Sequence, residues 1–126
     1  MKSLHIVTPV KDSIESTLET IKAILSSDIK VPYTYTIYND FSTAENTALL
    51  KKYSKELGFT LVNISDLTDH PSPNYLLVLQ RCRREAIAQD AGFLLVESDV
   101  VVAKDTLQGL FDGALEREDC AIAASV

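Results

Sequence analysis

The stretch Phe93-Leu94-Leu95-Val96-Glu97-Ser98-Asp99 decides how the rest of this sequence is read. Four large apolar residues in a row, stopping at two acids spaced i, i+2, describe a buried central strand that delivers carboxylates to its C-terminal end. In open parallel α/β sheets, ligands gather in the crevice beyond those ends. Two carboxylates there can hold a hard divalent cation, because Mg²⁺ characteristically takes one or two carboxylates together with substrate phosphates. The competing reading is that strand-end acids are solvated turn or cap residues, where Asp is common. What separates the two is whether other chemistry-bearing residues converge on the same place.

Upstream of this strand, apolar periodicity gives a βα alternation. Leu4 to Thr8 reads as a strand closed by Pro9, and Ile14, Leu18, Ile21 and Leu25 form a helical stripe. Asp12 with Glu15 three residues on has the pattern of a capping box, so that helix is expected to start at Asp12. Tyr33 to Asn39, aromatic and β-branched, is the second strand and ends at Asp40. Ser42-Thr43-Ala44-Glu45 is a second capping-box pattern, opening a helix with Leu49, Tyr53 and Leu57 inward and Gly58 as its stop. Phe59 to Ile64 is a third strand, and the polar, Pro-rich Ser65–Pro73 segment is a surface loop. A helix over 74–89 places Leu79, Cys82 and Ala86 inward. After the Phe93–Val96 strand come a helix over 104–116, with Leu107, Leu110, Phe111 and Ala114 inward, and a fifth strand over 120–126. Strands alternating with helices imply βαβ units, a mainly parallel sheet and helices on both faces: a three-layer α/β/α domain. An apolar strand as the last element, with no closing helix, suggests one portion of a longer protein.

The totals agree with one such domain. The chain has 126 residues, enough to bury a sizeable core, with 46% hydrophobic and 24% charged residues. A formal net charge of −6 argues against general nucleic-acid binding, since nothing would offset phosphate repulsion. No apolar run approaches the ~20 residues that span a bilayer, and the N-terminus lacks a signal-peptide pattern. Cys82 and Cys120 lie far apart in apolar or helical settings, so free intracellular thiols are expected rather than a disulfide. Cytoplasmic placement follows, with association at the inner membrane face as the remaining option.

Three strand ends would then share one crevice: Thr8 from the first, Asp40 from the second, Glu97 and Asp99 from the fourth. At this point Ile6-Val7-Thr8-Pro9-Val10, Tyr38-Asn39-Asp40-Phe41-Ser42-Thr43 and Glu97-Ser98-Asp99 resemble, in order and spacing, the family 2 glycosyltransferases with the GT-A fold. There the first strand ends in a Pro-containing turn, the second in D-D-G-S-T and the fourth in D-x-D. The resemblance covers essentially the whole chain, as the nucleotide-sugar-binding N-terminal portion of such an enzyme.

Carried over by position, the resemblance implies that Thr8 and Pro9 line the nucleotide pocket and that Asp40 helps hold the base of a UDP-type donor. It makes Glu97 a ribose or metal-water contact, and Asp99 the direct ligand of Mg²⁺ or Mn²⁺. Arg81, near the family's A-R-N segment, would support the pocket; it is equally one of several basic residues on a solvated helix face. The implied partners are a nucleotide-diphosphate sugar and a saccharide or lipid-linked saccharide acceptor. The departures are Lys11-Asp12 for Tyr-Asn, Asn39 for the first acid of D-D-G-S-T, Phe41 for its Gly, and Glu97 for the first Asp of D-x-D. An inverting enzyme also needs a general base. The resemblance implies that this base, with most of the acceptor site, comes from sequence after this chain, and none of Asp105, Asp112, His5 or His70 suits the role here.

Two other classes fit less well. A sugar-phosphate nucleotidyltransferase needs a Gly-rich basic loop after the first strand, and Pro9-Val10-Lys11-Asp12 has no glycine. A phosphoacceptor receiver domain needs an acid pair where Thr8-Pro9 stands. A non-catalytic binding module on a degenerate glycosyltransferase fold remains as the alternative, since fold does not fix function.

Overall fold

The computed structural model describes residues 2–115 and 122–124. The elements run β1 (Ser3–Val10), α1 (Ile14–Leu25), β2 (Tyr33–Asn39), α2 (Ala44–Leu57), β3 (Thr60–Asn63), a 3₁₀ turn (Ile64–Asp66), α3 (Tyr75–Ala88), β4 (Ala91–Leu95), α4 (Thr106–Leu115) and β5 (Ile122–Ala124). The strands form one parallel sheet in the order β3-β2-β1-β4-β5. The expected three-layer α/β/α fold is therefore present, with β1 at the centre.

Period-2 alternation along β1 assigns the two faces. Leu4, Ile6 and Val10 join a core with Ile21 and Ile24 of α1, Leu50 of α2 and Leu107 and Phe111 of α4. Val7 points the other way, into a smaller core with Tyr38, Phe93 and the Val78, Cys82 and Ala86 stripe of α3.

Several boundaries differ from the sequence expectation for identifiable reasons. β1 does not close at Pro9 but continues to Val10. Val7 O accepts from Val96 N at 2.9 Å, on the β4 side. Pro9, two residues on, faces that same side after the last ladder pair Val7↔Leu95, where no N–H is needed. α1 begins at Ile14, capped by Ser13 without a side-chain bond, because Asp12 adopts a left-handed conformation (φ 56) and spends its carboxylate elsewhere. Its stripe is also shifted: Thr17, Thr20, Ile21 and Ile24 are the buried residues, and Leu18 is half-buried. The two threonine hydroxyls are satisfied at carbonyls, Thr17 at Ser13 O and Thr20 shared between Ser16 O (3.2 Å) and the nearer Ser98 O (2.9 Å).

α2 is capped one residue later than the expected box, by Thr43 in place of Ser42, with Thr43 Oγ1 accepting from Asn46 N, and ends as expected at Gly58 (φ 87). That backbone suits Gly, which has no Cβ to clash. Leu50 rather than Leu49 is its fully buried residue. β3 is shorter than expected because Ile64 turns into the 3₁₀ segment. On α3, Leu79 is half-buried beside the expected Cys82 and Ala86. The expected strand residues Cys120 and Val126, the helix end at Glu116 and the side chain of Ala114 lie outside the described residues.

Candidate functional site

The sheet order puts β1 beside both β2 and β4, and the chain reverses its direction of growth between β1 and β4. Such a switch point leaves a crevice outside the strand ends. Here β4 pairs with β1 only as far as Val7↔Leu95, while β1 runs on beside β2 to Val10↔Asn39. The gap opened by that divergence has a volume of about 350 Å³ and is lined by Pro9, Lys11, Ser13, Ser16, Asp40, Tyr75, Glu97 and Asp99, among others. Four of the six residues singled out from the sequence therefore meet: Pro9, Asp40, Glu97 and Asp99.

The other two lie elsewhere. Thr8 is fully buried, and its hydroxyl is 2.9 Å from the Tyr35 hydroxyl, inside the core rather than in the crevice. It falls on the face of Leu4 and Ile6, a parity the sequence already contained. Arg81 lines a separate cavity with His70, Asn74 and Arg84, and its Nε lies 3.4 Å from Glu85 Oε1 one helical turn on.

Asp40 is 8% exposed, and both its oxygens are occupied. Ser72 Oγ and Asn74 N donate to Oδ2 at 2.8 and 2.9 Å, and Asn74 Nδ2 donates to Oδ1 at 2.8 Å. Burial pushes its carboxyl up, but the Asn74 and Ser72 donors and the charge of Lys11 outweigh that and hold it below the usual carboxylate range. The carboxylate thus pins the loop before α3, and the start of α3 itself, to the end of β2. Asn39, where the resemblance has an acid, uses its amide to join Thr47 and Asn63 at 2.9 and 3.0 Å.

The turns after β1 and β2 are laced together. Asp12 N donates to Ser42 Oγ (2.7 Å), Asp12 Oδ1 accepts from Thr43 N (2.8 Å) and Asn46 Nδ2 (2.9 Å), and Lys11 Nζ donates to Phe41 O (3.0 Å). Asp12 so helps cap α2, and the Asn46 and Thr43 donors lower its pKa. Phe41 holds φ 61, so the left-handed turn expected of glycine is kept by a residue that must bear its strain.

Glu97 and Asp99 are exposed, and among the described residues neither carboxylate enters a hydrogen bond or ion pair. The loop carrying them is fixed from α1, whose Thr20 hydroxyl donates to Ser98 O at 2.9 Å. No group of three or more His, Cys, Asp or Glu side chains able to hold a metal exists among the described residues. Two free carboxylates in an open crevice instead suit a cation that completes its shell with ligand oxygens and water. Lys11, Ser13, Ser16 and Tyr75 had not been singled out as site residues. Lys11 counted only as a departure from a motif, while Tyr75 bore one usable signal, an aromatic opening a helix after a Pro-rich loop.

No family model and no curated protein matches the chain. Solved structures do. The TarS 1–349 piece from S. aureus in complex with UDP-GlcNAc matches with a TM-score of 0.59 at 22% identity, over 91% of this chain and 32% of that one. The same piece in complex with UDP gives 0.59 at 20% identity, over 91% and 33%. Full TarS gives 0.58 at 20% identity, over 92% and 20%. TarS is a glycosyltransferase, so the chain has a glycosyltransferase-like α/β fold. It spans about a third of the TarS 1–349 piece. Among the described residues, no helix is long and apolar enough to cross a membrane.

Proposed function

We propose that this chain is the donor-binding portion of a family 2, hexosyltransferase-class glycosyltransferase. In this reading the crevice beyond β1, β2 and β4 takes a UDP-type nucleotide sugar, with Mg²⁺ or Mn²⁺ at Asp99 and Glu97. The observation that carries it is the convergence of Pro9, Lys11, Asp40, Glu97 and Asp99 on one crevice at the switch point of the sheet. Support comes from the fold shared with a protein solved with UDP-GlcNAc and with UDP.

Each residue takes a role its surroundings allow. Asp99 and Glu97, exposed and unengaged, would hold the cation, and Lys11 adds positive charge at the same mouth. When bound, the metal would offset charge on the departing nucleoside diphosphate. Asp40, with its oxygens filled, acts by fixing the wall of the pocket. The sugar would pass to a hydroxyl of a saccharide or lipid-linked saccharide, with the acceptor site and general base supplied outside this chain.

A second reading is a non-catalytic module on the same fold. It is favoured by Asn39 and Asp40, whose polar groups are spent internally. Calorimetric titration with UDP-, GDP- and CDP-sugars, with and without Mn²⁺, separates the two. UDP-sugar binding that needs the metal and is lost in Asp99→Ala supports the donor site. Binding that is absent, or indifferent to Mn²⁺ and to the substitution, overturns it in favour of the module.

A further inference from the structure

The crevice contains one aromatic side chain among its lining residues, Tyr75, and nothing within the described fold uses it. Tyr75 is 43% exposed. Among the described residues its ring makes no aromatic contact and its hydroxyl no hydrogen bond. It lines the crevice together with Pro9, Lys11, Glu97 and Asp99, and burial, then the charge of Glu97, raises its pKa. What distinguishes Tyr75 from other exposed apolar residues is its place in the crevice lining, where its open ring face can meet a planar ligand.

Its position is also held firmly. Tyr75 is the first residue of α3, directly after Asn74, whose backbone and side chain both donate to the buried Asp40 carboxylate. A ring on a fixed backbone, with two rotatable side-chain bonds, loses little freedom when a ligand covers it. The crevice lining combines two kinds of chemistry. Lys11, the two free acids with a cation they would hold, and Ser13 and Ser16 at the start of α1 suit phosphates. Tyr75 and the Pro9 ring supply the apolar faces. Of the parts of a nucleotide sugar, the base is the flat aromatic one, whose π-face matches a tyrosine ring.

We infer that Tyr75 is the platform on which the nucleobase stacks, which makes it a determinant of nucleotide affinity largely indifferent to base identity. The inference rests on the donor-site reading above. Stacking on an aromatic side chain is sequence-tolerant because every base has a π-face.

The test compares the unaltered chain with Tyr75→Phe and Tyr75→Ala, titrating UDP, a UDP-sugar, CDP and pyrophosphate in the presence of Mn²⁺. The expected result is UDP and CDP binding weakened about tenfold or more in Tyr75→Ala. Tyr75→Phe should stay within about twofold, and pyrophosphate binding should be unchanged, since a folding or phosphate-end defect would move it too. Because the sequence has no Trp, Tyr75→Trp places a single reporter whose emission UDP, but not pyrophosphate, should quench. Equal UDP affinity in Tyr75→Ala overturns the inference while leaving the donor site standing. So does an equal loss for pyrophosphate, or a loss seen with UDP-sugar and not with UDP, which would put the sugar on the ring. Absence of UDP binding by the unaltered chain overturns the donor-site reading and the inference with it.

Discussion

Replacing Asn74 by Ala tests how the wall of the crevice is held. Asn74 is 7% exposed. Its Nδ2 donates to Asp40 Oδ1 (2.8 Å) and to His70 O (2.9 Å), and its Oδ1 lies 3.2 Å from His70 Nδ1. The substitution removes those side-chain bonds and leaves Asp40 with Ser72 and the Asn74 backbone N–H. A hydrogen bond to a charged group contributes roughly 1.5–3 kcal/mol, and a buried acceptor left short costs about as much. The expected loss at pH 7 is therefore about 2–3 kcal/mol.

The loss should depend on pH with a definite sign. Asp40 has a folded-state pKa below its ordinary 3.8, so the stability it adds is present above that value and lost as pH falls through the folded pKa. Without the Asn74 amide, burial is less opposed and that pKa rises. The gap between the two proteins should then be widest near neutral pH and narrow as the carboxylate protonates. Urea unfolding at pH 7 and at about pH 3 reads both quantities. A double-variant cycle with Asp40→Ala should return a coupling of about 0.5–3 kcal/mol. A neutral-pH loss under about 0.5 kcal/mol, a gap that does not change with pH, or zero coupling would each refute the clamp.

Two further outcomes follow from the core. Thr8→Val leaves the buried Tyr35 hydroxyl without its partner and should cost about 1–3 kcal/mol, while Thr8→Val with Tyr35→Phe should be nearly neutral. Thermal melts of the single and double variants, with nucleotide titration alongside, check this; nucleotide binding altered in the well-folded double variant would mean that Thr8 reaches the crevice after all. His5 is buried, its Nδ1 2.7 Å from Thr34 Oγ1 and its Nε2 3.4 Å from Glu85 Oε2. Burial lowers its pKa below 6.5 although Glu85 pulls the other way, so the Glu85 contact is not an ion pair at neutral pH. The unfolded chain takes up that proton first as pH falls, so stability should decline below about pH 6.5 and be level above it. Urea midpoints across that range should flatten in His5→Gln; an unchanged slope would count against it.

Much of the fold was legible because period and punctuation are local signals. The Tyr33–Asn39 strand matches its expected bounds, Gly58 stops α2, and Cys82 and Ala86 face inward. The parallel sense of the sheet follows from helices of this length between strands. The capping boxes were less reliable guides. Asp12-x-x-Glu15 has the right letters, but its carboxylate found better donors in Thr43 and Asn46, 31 and 34 residues away.

By itself the sequence determined the order of the elements, the α/β class and the placing of Asp40, Glu97 and Asp99 at strand ends; that β1 lies between β2 and β4 came from the tertiary structure. Strand ends on one edge must converge once β1 is central. Only the tertiary structure decided what each group does there. It spent the Asp40 carboxylate on Asn74, 34 residues on, drew Thr8 into the core against Tyr35, kept Arg81 apart on α3, and brought Tyr75 to the mouth. The physical reason is that hydrogen-bond partners distant in sequence become neighbours only when the layers pack, and packing alone chooses which polar groups are satisfied inside and which stay free for a ligand.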